Sequence, residues 1–266
     1  MEEARARTTE RLDRASDSPR PPGHGEMHVW FASLRVSAES LKELDGSLSP
    51  GERARAARFR DPRDRDRFVA AHGIAREILG GCTGMEPRGL RFETDNAGKP
   101  ALDRASGGEW LSFSMSHSGT AALYGVARER NVGVDLERID RNLVDESVSK
   151  RLLSPAERAA VDALPPAARV DALLRFWTLK EAYLKARGSG LAIPPSAIDV
   201  SAAAAGGPKV LASGAYVEDG IPWTLAVIPV PSGYAAAAAC RGNGRRIMCR
   251  LFDGRIAEPA ATNGSA

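Results

Sequence analysis

The chain has 266 residues, 43% apolar and 27% charged, which is length for about 1.8 average domains. That composition excludes a collagenous, disulfide-framework or wholly disordered chain. The formal net charge is only +3, from 37 basic and 34 acidic residues, so strong condensation on nucleic acid is not the expectation.

In chain order, residues 1–26 are charged and then proline-rich, with almost nothing to bury, and read as a disordered N-terminal tail. From Met27 an apolar alternating run through Leu34 predicts a strand. Ser49-Pro50-Gly51-Glu52 supplies a cap, a first-turn proline and a third-position glutamate, so a helix is predicted to start there. The same signature returns at Ser154-Pro155-Ala156-Glu157. Arg67-Phe68, Gly80, Pro87, Leu90 and Phe92 are echoed 108 positions on by Arg175-Phe176, Gly188, Pro195, Ile198 and Val200. Ser118-Gly119-Thr120-Ala121-Ala122 is echoed by Ser232-Gly233-Tyr234-Ala235-Ala236. Ordered matches at a slowly drifting offset mark a tandem duplication. The expectation is an α+β fold made of two similar α/β halves related by a pseudo-twofold, residues 27–130 and 131–245, with a C-terminal tail over 246–266.

Four segments carry candidate chemistry. Glu52 to Arg67 holds seven arginines against four acids. It reads either as a solvated, self-paired face or as a phosphate or acidic-partner site. Ser114-Met115-Ser116-His117-Ser118-Gly119 groups hydroxyls, an imidazole and glycine-adjacent amides, which suit phosphate contact better than acyl chemistry because no nucleophile elbow accompanies them. In Gly133-Val134-Asp135-Leu136-Glu137 the strand period puts both carboxylates on one face, where they repel unless a cation lies between them. The alternative is a strand end with a solvated acidic face. A helix predicted over Val170 to Arg187 carries Glu181 on the apolar stripe of Trp177 and Leu184, with Lys185 one turn beyond. A carboxylate on such a stripe is costly unless paired or metal-bound.

Basic residues are lysine at only six positions (42, 99, 150, 180, 185, 209); two of these, Lys180 and Lys185, fall in the predicted helix and a third, Lys99, in the short turn Gly98-Lys99-Pro100. Cys82, Cys240 and Cys249 have no C-x-x-C spacing, and the four histidines show no ligand pairing. This predicts a reduced, cytoplasmic protein whose metal, if it uses one, is an oxygen-liganded hard cation. The start lacks a signal-peptide core, and the most apolar stretch, Leu225 to Cys240, is interrupted by Pro229 and Pro231, so no membrane segment is expected.

Gly133-Val134-Asp135-Leu136-Glu137 and, about forty residues on, Trp177-Thr178-Leu179-Lys180-Glu181-Ala182-Tyr183-Leu184-Lys185 resemble the paired signatures of the Sfp-type 4′-phosphopantetheinyl transferases, G-[IV]-D-x-E and W-x-x-K-E-x-x-x-K. The likeness extends to Ser49 through Arg67, to Gly98-Lys99-Pro100 and to Ser116-His117-Ser118. It implies a pseudodimeric monomer with coenzyme A in the cleft and transfer of its 4′-phosphopantetheine to a serine of an apo acyl or peptidyl carrier protein, releasing adenosine 3′,5′-bisphosphate. By matching position, Asp135, Glu137 and Glu181 are the implied Mg²⁺ ligands, and Glu181 is also the implied base. Lys185 and His117 are the implied pyrophosphate contacts. Lys99, Pro100 and Ser116 would place the nucleotide, with the nucleotide side in the first half. Arg55 and Arg67 are the implied 3′-phosphate contacts, although Glu52 interrupts that basic segment. Lys180 is expected to pair locally or to orient Glu181. Rival readings are an arginine-rich module for nucleic acid or an acidic protein, and a Mg²⁺-dependent phosphohydrolase.

Overall fold

A computed structural model describes residues 13–14, 19–94, 98–103, 107–128, 131–140, 146–188, 193–204, 209–211, 221–242 and 245–252. Of the expected tails, residues 1–12, 15–18 and 253–266 lie outside the described residues. The elements in chain order are β1 (Asp13–Arg14), β2 (Glu26–Ser33), α1 (Ala38–Ser47), α2 (Pro50–Ala56), α3 (Pro62–Thr83), β3 (Phe92–Thr94), β4 (Pro100–Leu102), β5 (Leu111–Ser118), β6 (Ala121–Arg128) and β7 (Val132–Arg138). There follow α4 (Glu146–Leu152), α5 (Pro155–Asp162), α6 (Pro166–Arg187), α7 (Ser201–Ala204), β8 (Lys209–Leu211), β9 (Trp223–Val227), β10 (Tyr234–Arg241) and β11 (Arg246–Phe252).

The duplication read from the sequence has a structural counterpart. Strand order is β2-β6-β5 within one sheet and β7-β10-β9 within the other, so each half sets its first strand beside its last. The pairings within both triplets are antiparallel. Both capping boxes form: Ser49 with Glu52 opens α2, and Ser154 with Glu157 opens α5. Both long helices have 22 residues, a proline in the first turn and a left-handed glycine at the C-cap, Gly84 and Gly188. These ends set the helices 104 positions apart, one turn less than the 108 read from Gly80 and Gly188. The 108 spacing does hold for the 3-10 turns at Pro87 and Pro195, because the second helix is followed by a longer connection.

The two sheets stack face to face. Met27, Val29, Phe31 and Leu123 meet Val134, Leu136, Ala236 and Ala238 in an apolar layer between them. The outer face of the first sheet, with Trp30, Tyr124 and Val126, packs on α3. The outer face of the second, with Leu225, Ala237 and Ala239, packs on α6. Two sheets thus lie between two helical layers, and burial on both faces explains why β2 and β6 are apolar along nearly their whole length. Among the described residues no helix is long and apolar enough to cross a membrane.

Both expected tails need correction where they are described. Pro19 and Arg20 are docked on the end of α3: a Cβ on Gly81 would stand 2.6 Å from the Pro19 carbonyl oxygen, and the Cys82 thiol donates to the Arg20 carbonyl at 3.3 Å. The C-terminal segment begins with β11, which runs parallel to β2 in the first sheet. Ile247 and Cys249 alternate into the inter-sheet layer, while Arg250 on the opposite face lies over the Trp30 ring. That period-two pattern has enough apolar surface to bury, unlike a tail.

Gly133 governs where α6 sits. A Cβ there would fall 2.0 Å from the Ala182 carbonyl oxygen and 2.5 Å from the Ala186 nitrogen, both backbone atoms of α6. Only glycine permits this approach of helix to strand, and a side chain would push α6 outward as a unit. Gly133→Ala is therefore expected to lower stability by about 3 kcal/mol, measured as a shift in the urea midpoint. An unchanged midpoint would show that α6 yields freely.

Candidate active site

β5 and β7 are edge strands of different sheets that run side by side without a backbone ladder between them. Serines two apart on β5 join them. Ser114 Oγ accepts from the Val134 N–H at 3.2 Å, and Ser116 Oγ donates to Asp135 Oδ1 at 3.0 Å. Ser118 Oγ donates to Glu137 Oε2 at 3.0 Å and accepts from the Arg138 N–H at 3.1 Å. The sequence reading gave this cluster to phosphate contact, and Ser116 to the nucleotide. In the structure Ser116 and Ser118 hold the two carboxylates of β7, and Ser114 takes a backbone N–H of the same strand. Their alternate spacing signalled a shared face, but nothing local in the sequence says that this face meets another sheet.

Asp135, Glu137 and Glu181 gather around this seam with Lys185. Asp135 is 3% exposed, and its Oδ1 accepts from Lys185 Nζ at 2.7 Å. Lys185 also donates to Ser116 Oγ at 3.0 Å. The other oxygen of Asp135, Oδ2, is buried without a hydrogen-bond partner among the described residues. Glu137 accepts from Ser118 and, at 3.4 Å, from the Trp177 indole N–H. Burial first, then the Asp135 charge, pushes the Glu137 carboxyl above its usual range, against the pull of Ser118, Trp177 and Lys185. Glu181 is raised by burial, then by Asp135, with Lys185 opposing and Glu137 adding to the rise.

Like charges crowded in a half-buried site call for a cation. An all-carboxylate donor set with an orphaned buried oxygen fits a hard one. Lys185 supplies one positive charge already, and among the described residues no group of three or more His, Cys, Asp or Glu side chains is assembled as a metal cage.

Chambers flank the seam. One of about 300 Å³ is lined by Lys99, Pro100, Met115, Glu181 and Lys185. It adjoins another of about 630 Å³, against α2 and α3, with which it shares Pro100, Phe113 and Met115. Arg55 and His72 line that second chamber, and the Arg55 guanidinium lies over the Phe68 ring, on which His72 is stacked. His117 belongs to the same basic neighbourhood: burial, then His72, Lys185 and Arg55, lowers its pKa and favours the neutral imidazole. Lys99 donates to the carbonyls of Val132 at 2.9 Å and Ala186 at 3.4 Å, so its ammonium ties the β3–β4 hairpin to both β7 and α6.

Arg67 is not with Arg55. It lines a third chamber, of about 600 Å³, on the Glu137 side of the seam. Glu52, the acid among the arginines, is a bracket: it pairs with buried Arg76 at 2.7 Å and meets His72 at 3.3 Å. Burial alone would raise Glu52, but His72, the Ser49 backbone and Arg76 outweigh it and hold the carboxyl at about 2. Lys180 points away from the site, into a contact with Glu157 in which both side chains are fully buried. It also donates to the carbonyls of Leu152 and Pro195.

A family model described as the 4′-phosphopantetheinyl transferase superfamily matches residues 131–239, and one described as 4′-phosphopantetheinyl transferase, N-terminal, matches residues 35–128. The chain is 40% identical over 178 residues to the 4′-phosphopantetheinyl transferase HetI of Nostoc, covering 65% of this chain and 75% of that one. It is 24% identical over 165 residues to the 4′-phosphopantetheinyl transferase Sfp of Bacillus subtilis, covering 62% and 71% respectively.

Proposed function

Because the chain belongs to the 4′-phosphopantetheinyl transferase superfamily, we propose that it transfers the 4′-phosphopantetheine group of coenzyme A to a serine hydroxyl of an apo acyl or peptidyl carrier protein in the cytoplasm. The observation that carries this reading is the seam itself, where three carboxylates and one lysine sit between a basic chamber and a second opening.

In this reading residues 27–130 supply the nucleotide pocket and residues 131–245 the reacting groups, within one monomer. Arg55, His117 and the Lys99-Pro100 turn face the nucleotide. Arg67 is left out, because it opens on the other side of the seam. Asp135, Glu137 and Glu181 would hold a Mg²⁺ ion, which when bound neutralises pyrophosphate charge. Lys185, fixed by Asp135 and Ser116, presents its ammonium toward the same pyrophosphate. The serine oxygen forms a bond to the β-phosphorus, and the bond from that phosphorus to the bridging oxygen breaks. Adenosine 3′,5′-bisphosphate leaves, and the serine proton passes to Glu181 directly or through water. Positioning and charge neutralisation carry most of such a transfer.

The arginine-rich segment gives no support to a nucleic-acid module. Within it, Arg53 is spent on the carbonyls of Asp45 and Leu48, and Arg55 lies over the Phe68 ring. The test is incubation with coenzyme A, Mg²⁺ and several apo carrier proteins, following carrier mass. At least one carrier is expected to gain the mass of a single phosphopantetheine group. Failure of every carrier would count decisively against the reading.

A further inference from the structure

The chamber of about 630 Å³ has two walls. One is helical, with Ser49, Glu52 and Arg55 at α2 and Phe68 and His72 on α3. The other is the segment from Leu90 into the β3–β4 hairpin, where Pro100 pairs opposite Thr94.

Arg76 is bonded to both walls. Its side chain is 1% exposed and grips Glu52 Oε2 through Nε at 2.8 Å and Nη2 at 2.7 Å. Nη1 donates to the carbonyls of Pro87 at 2.8 Å and Leu90 at 3.0 Å, and the guanidinium lies over the Phe92 ring at 4.9 Å. A planar fork can serve a carboxylate, two carbonyls and a ring face at once. Glu52 is shared in its turn. Its Oε2 accepts from the Ser49 N–H at 2.8 Å in the capping box, and its Oε1 meets His72 Nδ1 at 3.3 Å. His72 stacks on Phe68, the ring beneath Arg55.

The second half builds the same unit and buries it. Glu157 closes the capping box of α5 and pairs with Lys180 of α6, which donates to the carbonyl of Pro195, the counterpart of Pro87. There the second carboxylate oxygen accepts from the Val200 backbone N–H at 2.8 Å. In the first half that oxygen is turned to His72, and the carboxylate lines a chamber. A fastener of helix to turn in one half stands at a ligand-sized cavity in the other.

We infer that Glu52 and Arg76 are positioning residues for the donor: Arg76 fixes the spacing of the two walls, and Glu52 fixes the Arg76 fork and the His72 ring. The inference rests on the transfer reading above, which gives this chamber to the nucleotide of coenzyme A. Walls ordered in advance lower the cost of ordering on binding. Their loss should therefore fall on donor affinity and spare the chemistry at the carboxylate seam.

The experiment is equilibrium titration of the full chain with coenzyme A, beside steady-state transfer with each substrate varied in turn. The variants are Glu52→Gln, Arg76→Met, the two combined, and Arg76→Lys. In Arg76→Met and in the double variant the Kd and KM for coenzyme A are expected to rise about tenfold or more. At saturating donor, kcat and the KM for carrier should stay within about threefold of wild type. The double variant decides, because it removes both charges. It is expected to regain much of the denaturant midpoint that Arg76→Met loses, while its Kd for coenzyme A stays raised. Arg76→Lys, which copies the second half, should recover most of the affinity. Lys180→Met with Glu157→Gln makes the matching change in the other half and should leave the Kd for coenzyme A near wild type. A Kd that returns to wild type with the midpoint in the double variant shows that the unit only holds the fold, and overturns the inference. A fall in kcat with the Kd unchanged overturns it too. A wild-type chain that binds coenzyme A but modifies no carrier removes the transfer reading and leaves the two walls to be judged by the Kd. One that does not bind coenzyme A removes both.

Discussion

Glu181→Gln is expected to lower transfer by about a thousandfold or more while leaving the protein at least as stable as wild type in chelator. The two effects have one cause. Without a bound cation, Glu181 is a half-buried carboxylate facing Asp135 and Glu137, and its ionisation opposes folding. Glutamine keeps the shape and removes that repulsion, so the melting temperature should hold or rise. The same change removes a charge and a proton acceptor that the reaction needs. Asp135→Asn is expected to lose transfer equally, but to melt lower, because it takes the partner from Lys185 at 2.7 Å. Paired melting and kcat/KM measurements separate these signatures. Wild-type transfer by a folded Glu181→Gln protein would remove that residue from the chemistry.

Much of this site could be read before any coordinates, for reasons that differ by residue. Asp135 and Glu137 share a face because a strand forces residues two apart together, and Val134 and Leu136 enter the inter-sheet layer as that alternation requires. The two capping boxes are local chemistry within four residues, so both were legible and both form. The helix register was less legible, because the insertion that separates 104 from 108 lies after the helix and leaves no mark inside it. The seam partners of Ser114, Ser116 and Ser118 were not legible for a non-local reason: they are about twenty residues away on the edge of another sheet. Arg55 and Arg67 looked equivalent in a basic run, yet they face different chambers, one on α2 and the other on α3. Charge counting along a chain cannot see a change of helix direction between them.

Lys180 and Lys185, five residues apart in one motif, should behave as opposites under substitution. Lys180 and Glu157 are both fully buried, and among the described residues the Glu157 carboxylate otherwise holds only the N–H groups of Ser154 and Val200. Lys180→Met strands that carboxylate in the core, at a cost of about 3–5 kcal/mol. Lys180→Met with Glu157→Gln removes both charges and is expected to recover a substantial part of the loss, a coupling that a double-mutant cycle reads directly. The pair ties α5 and the turn at Pro195 to α6, one residue before Glu181, so it fixes where α6 sits without touching the reaction. Transfer by the folded fraction of Lys180→Met should therefore fall only severalfold. Lys185→Met reverses the weighting: it strands the buried Asp135 carboxylate and lowers the midpoint as well, but transfer is expected to fall about a hundredfold or more, far beyond the loss in Lys180→Met. Denaturant midpoints beside kcat for the two variants decide the assignment. A Lys180→Met protein that is as stable as wild type but inactive would place this lysine in the reaction after all.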